Sequence, residues 1–562
     1  MLAAFSACKG MTGIEPKRHN KNRYVSYLAL VVILLLGSYV RATNLSWGVP
    51  ELHPFMGRYM EFLYPDEPNL VQQIRGMLAN PLDNAPFIYP PLHAQIGAAF
   101  AWALGLTTTS SLYLLARWIS VVASALTIAA TYFIGRFWSD RIAIIASAFL
   151  AVTMTSVREA HWANPESLAA LLITLALFVM YRICTEESTA LVLVMSIVLA
   201  LAICAKYQGV FFLHLPAIAV GTLWFDRQWP HRKPFYKLAV CYGVILAIVG
   251  ILLVPYIISN KESFEASFSY LRGWITSSNG LYGTFPNPVQ QPHYASLILP
   301  VALGFPIYIL ALGGIITSLL TRHKPALLLL FGILPYWIAL ELLHYRPIRF
   351  SVSLLPGICI FAAIVIDRTL CSQKRFLRIV GSLALVATLI YSLAYSFAFT
   401  NAFNPESDVR LSIENWIQQT HPNRERISML AHNLSSNSFG FIKYTTIEHF
   451  NGESYDFSQH PDIIVVPKVF LEVLQQCLDL RRKGYVYSDA DWWPIQKPTL
   501  ETLDLAEDLI EQRTYKIARS FKNEAEFGGH KFRDDVLKFD YIWVSNLEIL
   551  VFQRQESQLK KL

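Results

Sequence analysis

The chain has 562 residues, 54% hydrophobic and only 15% charged, with a formal net charge of +7. A water-soluble protein of this length could not cover that much apolar surface, so the composition excludes a soluble globular chain and points to a polytopic membrane protein. The excess of Lys and Arg is modest and sits beside apolar runs, where it acts as an orientation signal and not as a nucleic-acid patch.

The first residues, MLAAFSAC, resemble a lipoprotein cleavage box ending at Cys8 but lack a basic n-region and a long apolar core. The first apolar run, 24–42, is therefore expected to be an uncleaved anchor behind a cytoplasmic tail, 1–23, that carries Lys9, Lys17, Arg18, Lys21 and Arg23. Further runs follow at 92–106, 112–135, 141–157, 167–182, 189–204, 208–225, 236–258, 295–320, 325–343, 349–366 and 379–400. Two more basic clusters, Arg227, Arg232, Lys233 and Lys237, then Arg368, Lys374, Arg375 and Arg378, are assigned to the cytoplasm. Counting from these clusters places both 43–91 and 158–166 outside, yet three runs separate them. One run must fail to cross, and 92–106 is too short for a standard span of roughly 20 residues. A re-entrant or interfacial 92–106 leaves eleven crossings, with the N-terminus inside and the C-terminal domain outside.

On this topology the external loops collect unusual residues. The loop 43–91 holds Tyr64-Pro65-Asp66-Glu67-Pro68, two adjacent carboxylates just after the first span. Carboxylates at a bilayer are costly unless used. Equally, Asp66 suits the cap of a helix whose first turn holds Pro68. The following segment places Leu70, Ile74, Met77 and Leu78 on one side and Gln72, Gln73 and Arg75 on others, the spacing of a helix lying in the interface.

Arg117 falls outside near a span end. In Arg158–Glu166, Asn164 can cap the next helix, Pro165 suits its first position and Glu166 complements its dipole. Arg158, His161 and Glu166 also face the side that carries Asp66, which keeps a functional reading open. Lys206 joins two spans with almost no loop, so it either snorkels to headgroups or binds phosphate. The external loop 259–294 carries Tyr270, Trp274, Tyr282, Phe285 and Tyr294 around Arg272, a set suited to sugar stacking or to an interfacial belt. His344, Arg346 and Arg349 open a span on its outer side, against the positive-inside trend, and suit anion binding.

Residues 24–401 thus form the membrane domain, and 402–562 read as a soluble α/β domain on the non-cytoplasmic side. Helices are expected at 408–420 and 469–480, and strands at 426–430, 461–466, 515–521 and 547–552. The domain shows no nucleophile elbow, glycine-rich phosphate loop or metal spacing. It suits covering a site or selecting an acceptor. The seven cysteines imply no disulfide framework.

The sequence YPDEPNLVQQIRGML followed by IYPPL resembles the first external loop of the bacterial family 39-type glycosyltransferases. These GT-C enzymes are related to protein O-mannosyltransferases and to the aminoarabinose transferase of lipid A modification. LLARWIS, REAHWANPESLAALLITLAL, AKYQGVFFLHLP, RPIRFSVSLLPG and DVRLSIENWIQQTHPNRERI follow the family pattern in order, over roughly residues 25–430. The resemblance implies a polyprenyl-phosphate sugar donor and an inverting transfer on the non-cytoplasmic face of the cell membrane. By position Asp66 matches the family's essential acid, Glu166 stands where many members have Asp, and His161, Lys206 and Arg349 fall near the donor.

That chemistry needs cations on the leaving phosphate, a role for Lys206, Arg346, Arg349 or Arg117. It also needs a base for the acceptor hydroxyl, for which Asp66 is the candidate. Glu67 is left with orienting Asp66, binding acceptor or holding a metal. No His/Cys metal spacing is present, and an oxygen-ligated divalent ion leaves little trace in a sequence. The acceptor is a protein, lipid A, another glycolipid or a polymer. Competing readings are a secondary transporter, which would place charge near the midplane of repeated halves, a ligase moving a glycan from a lipid diphosphate, and a non-catalytic scaffold.

Overall fold

A computed structural model describes residues 20–49, 66–186, 188–225, 233–276, 293–343, 346–401, 409–421, 427–430, 446–449, 461–484, 500–522, 525–532 and 548–555. Among them six helices are long and apolar enough to cross a membrane: Tyr24–Ala42, Thr109–Gly135, Glu166–Thr185, Tyr236–Ser259, Lys324–Leu342 and Arg375–Thr400. Helices Asp140–Ala151 and Met154–Ala160, bent by 58° at a short break, make a seventh if counted as one. Helix Glu166–Thr185 is the centre of the bundle, with 78% of its apolar window buried, against 11% for Tyr236–Ser259 and 17% for Arg375–Thr400 at the rim. The rim helices turn residues such as Leu246, Ile251 and Ile258 outward, as lipid-facing helices do.

Several expected spans are interrupted. The run 141–157 stops as a helix at Ala151, and the Arg41 guanidinium donates to Leu150 O and Ala151 O, two of the terminal carbonyls that have no partner within their helix. The runs 208–225 and 349–366 start as 3-10 turns, Tyr207–Phe212 and Ile348–Ser353, before helices Leu215–Phe225 and Leu355–Leu370. Helices Phe305–Leu320 and Leu355–Leu370 meet at Gly314, where a β-carbon would fall 2.0 Å from Phe361 O.

The short run 92–106 is a helix of 13 residues, Leu92–Leu104, closed by Gly105 in the left-handed region. Helix Asp66–Ala79 packs Leu70, Val71, Ile74 and Met77 against Ala94, Ala101, Leu112, Tyr113 and Ala116. Its apolar side is therefore spent on protein, not on the lipid interface expected above. Gln73 Nε2 donates to Pro86 O at 2.7 Å and Arg75 Nη2 to Thr109 Oγ1 at 2.6 Å. The chain before and after Leu92–Leu104 is thus tied to the same helix.

The segment 259–294, expected as a loop, contains helix Lys261–Thr276. Its aromatic residues Tyr282 and Phe285 lie outside the described residues, as do the side chains of Tyr270 and Trp274.

The C-terminal domain holds a five-stranded sheet in the order β2-β1-β3-β7-β4, built from Thr446–His449, Ile427–Leu430, Ile463–Pro467, Glu548–Arg554 and Tyr515–Lys522. β1 is parallel to β2 and β3, and β7 is antiparallel to β3 and β4. Strand β3 is buried along its length, so it reads as a continuous apolar run. Strand β2 and helix Leu500–Glu511 were not anticipated. A small hairpin, β5 Glu526–Phe527 with β6 His530–Lys531, stands apart from the sheet. It seats the domain on helix Arg375–Thr400: Phe527 stacks on Phe397 at 5.8 Å, and Phe532 meets Tyr391 at 5.5 Å and Tyr395 at 5.3 Å.

Candidate active site

The interruptions gather at one end of the bundle, where helix Met154–Ala160, the turn Tyr207–Phe212 and the turn Ile348–Ser353 surround the start of the central helix Glu166–Thr185. Non-helical backbone at membrane depth persists where protein covers it or where it lines a cavity. Here it carries a cluster of buried charges.

Glu166 opens the central helix and is buried, with its backbone N–H on Asn164 Oδ1 at 3.2 Å. Its Oε1 accepts from Lys206 Nζ and lies 3.5 Å from Arg349 Nε. Among the described residues no donor reaches Glu166 Oε2, and an unsatisfied carboxylate oxygen in such a place is costly. Phe350 lies under both cations, 4.7 Å from Lys206 Nζ and 5.8 Å from Arg349.

Beside this group Arg158 pairs with Glu159 at 3.4 Å, and Asn164 Nδ2 donates to Glu159 Oε2 at 2.9 Å. Arg158, Lys206 and Arg349 are thus gathered on two carboxylates, Glu159 and Glu166.

Glu67 is also buried, but it is committed. Arg117 grips it through both oxygens at 2.8 and 2.7 Å, and the Ala163 N–H donates to it at 2.6 Å. The other guanidinium nitrogen of Arg117 holds Leu45 O and Trp47 O at 2.7 and 2.5 Å. One pair therefore ties together the end of the first span, the acidic loop and the 161–166 loop. This bidentate geometry makes Arg117 a brace, and both of its ends are occupied.

His161 bridges Val157 O and Thr43 O, each at 2.9 Å. Burial, with Arg117 and Arg41 nearby, pushes its pKa down to about 4. The ring is then neutral, and its single N–H serves one of the two carbonyls.

Asp66 is the first residue of helix Asp66–Ala79, directly before Glu67, and its side chain lies outside the described residues, as does His344. Arg346 lies apart from Glu166 and binds Leu343 O, Glu341 O and His293, closing the loop before the Ile348–Ser353 turn. Arg272 is exposed on helix Lys261–Thr276. Among the described residues no three His, Cys, Asp or Glu side chains converge as a metal site would.

Two members of the site were missed in the sequence. Glu159 was passed over for its neighbours. Arg41 is fully buried and bonded to Ser124 and Ser156 hydroxyls as well as to backbone carbonyls. Its signal was present: Arg41 ends an apolar run that a basic segment already precedes, so on the expected topology it opposes the orientation rule as Arg346 and Arg349 do.

A helical membrane bundle with interrupted spans around buried charge at one end, and an α/β domain seated beyond its last span, is the architecture of the GT-C fold. Residues 93–273 match the family described as dolichyl-phosphate-mannose-protein mannosyltransferase. No curated protein matches the sequence.

Among solved structures, ArnT from Cupriavidus metallidurans in the apo state is similar at 15% identity and a TM-score of 0.50, over 82% of this chain and 95% of that one. The Archaeoglobus fulgidus oligosaccharyltransferase tethered to an acceptor peptide is similar at 12% identity and a TM-score of 0.50, over 94% and 88%. At these identities the likeness is one of fold. The family match spans Arg117, Arg158, His161, Glu166, Lys206 and Arg272, and Asp66, Glu67, Arg346 and Arg349 fall outside it.

Proposed function

We propose that the chain moves a sugar from a polyprenyl-phosphate donor to a hydroxyl or phosphate acceptor, with inversion, on the non-cytoplasmic side of the membrane. The observation that carries this reading is the pair of buried cations, Lys206 and Arg349, held side by side on Glu166 where the interrupted spans meet. A sugar phosphodiester brings one negative charge, and the lipid phosphate that departs carries up to two. Cations fixed in a low-dielectric site therefore favour the transition state over bound donor.

For a hydroxyl acceptor the steps balance as follows. The acceptor oxygen bonds to the anomeric carbon as the bond from that carbon to the phosphate oxygen breaks. The electron pair leaves with the lipid phosphate, held by Lys206 and Arg349, and the acceptor proton passes to Asp66. Glu166 keeps the two cations in place before the donor arrives. Glu67, through Arg117, positions the start of the helix that carries Asp66.

The name of the matched family supports a lipid-phosphate sugar as donor. The acceptor class is peptide or glycolipid, and the C-terminal domain covers the site on that side. In this reading eleven segments cross, and Leu92–Leu104 enters and leaves at the site end.

The test compares purified wild type, Asp66→Asn and Lys206→Gln with radiolabelled polyprenyl-phosphate sugars and membrane extract as acceptor source. Wild type is expected to transfer label, and Asp66→Asn to lose about 10²–10⁴-fold in rate with an unchanged thermal midpoint. Lys206→Gln is expected to lose about 10²–10³-fold. Equal turnover by Asp66→Asn would remove it as the base. Failure of wild type to bind or turn over any lipid-phosphate sugar would overturn the reading.

A further inference from the structure

At the end of the bundle opposite Glu166 lies a charged cavity, of about 610 Å³, built from the ends of several helices. Phe137 and Trp138 follow helix Thr109–Gly135, and Ile142 belongs to the first turn of Asp140–Ala151. Arg322 and His323 link Phe305–Leu320 to Lys324–Leu342, while Asp367 and Arg368 close Leu355–Leu370. Arg117 and Gly135 lie on one helix, 18 residues or ~27 Å apart, close to the thickness of the hydrocarbon core. If one end of the bundle lies at headgroup depth, so does the other.

The lining is one-sided in charge. Arg322, Lys324 and Arg368 face it, and its one carboxylate, Asp367, is already taken by Arg141 at 2.8 Å. Among the described residues neither Arg322 nor Lys324 has an acidic partner, and Arg368 reaches only the Thr321 hydroxyl, at 3.3 Å. The Arg322 backbone is held at φ 48°, with its N–H on Leu319 O, a conformation that lysine and arginine rarely adopt. The start of helix Lys324–Leu342 adds its positive dipole end. The rest of the wall is largely apolar and aromatic: Phe137, Trp138, Ile142, Pro325 and Ile364. Leu319 and Leu320, just before the turn, are exposed.

We propose that this cavity is a binding site for a phosphate group carried on an anionic phospholipid. Unopposed cations at the ends of spans attract acidic headgroups. The apolar wall and the exposed leucines offer the attached chain a surface that a free ion would not use. The site is separate from the transfer centre and does not depend on the donor assigned there.

The experiment uses delipidated full-length protein in detergent and follows its thermal midpoint while phosphatidylglycerol, phosphatidylcholine of the same acyl chains, or inorganic phosphate is added. The variant combines Arg322→Asn, which tolerates the left-handed backbone, with Lys324→Gln; Arg368→Gln is measured separately in case the pair is unstable. Wild type is expected to be stabilised by phosphatidylglycerol only, and each variant to need at least tenfold more of that lipid for the same shift. Equal responses from wild type and both variants would overturn the proposal. So would an equal shift with inorganic phosphate, which would make this a plain anion site, or with phosphatidylcholine, which would make the effect one of bulk lipid.

Discussion

Glu67 and Arg117 were both legible as charges in the wrong place for a membrane protein, but their roles were not. Sequence spacing placed Glu67 next to Asp66, to orient it, bind acceptor or hold a metal, and offered Arg117 as one of four cations for a phosphate; the structure pairs the two across 50 residues. Such a pairing depends on how helices Thr109–Gly135 and Asp66–Ala79 cross, which no local pattern encodes. Arg117→Met strands the Glu67 carboxylate in the interior and is expected to cost about 3–5 kcal/mol, read as a drop in thermal midpoint in detergent. Arg117→Lys should recover little of it, because an ammonium cannot grip both oxygens and two carbonyls together. His161 offers a pH signature. Its folded pKa of about 4 lies below its ordinary value, so the unfolded chain binds the extra proton first. Stability should be greatest above pH 6.5, fall as the pH is lowered toward 4 and level off below that. His161→Gln should flatten a plot of thermal midpoint against pH across that window.

Elements were easier to read than contacts. The apolar runs locate the helices of the bundle because apolar composition in lipid needs no tertiary partner, and the short run 92–106 is short in three dimensions too. The 3-10 turns at Tyr207–Phe212 and Ile348–Ser353 escaped, since they are as apolar as the helices they lead into. What marks them is burial within protein, which hydropathy does not report. The break after Ala151 escaped for a related reason: its stabilising donor, Arg41, belongs to another span. Close packing gives the clearest test at this scale. Gly314→Ala would push a methyl group into Phe361 O, a backbone atom unable to swing aside. Overpacking of this kind typically costs about 1–3 kcal/mol, and the thermal midpoint should fall while Gly243→Ala, which meets nothing, leaves it unchanged.

At the scale of the whole molecule, the membrane bundle and the α/β domain meet, among the described residues, through a hairpin and a few rings. Phe532 sits against Tyr391 and Tyr395, with His530 at 4.8 Å on its other side. Phe532→Ala should free the C-terminal domain from helix Arg375–Thr400 without unfolding either part, and limited proteolysis should then cut near residue 402–408 faster than in wild type. The soluble domain was legible as α/β from its alternation of patterns, but its seating was not, because among the described residues a short hairpin with Phe527 and Phe532 carries it. Arg41 adds a consequence in time. Apart from Gly37 O, one turn back in its own helix, its partners lie 83 to 115 residues further along the chain, at Ser124, Leu150, Ala151 and Ser156. At about 5–20 residues per second of synthesis, the first span waits several seconds or more with its guanidinium held by Gly37 O alone. During biogenesis that helix is threaded into the bilayer well before it is locked there.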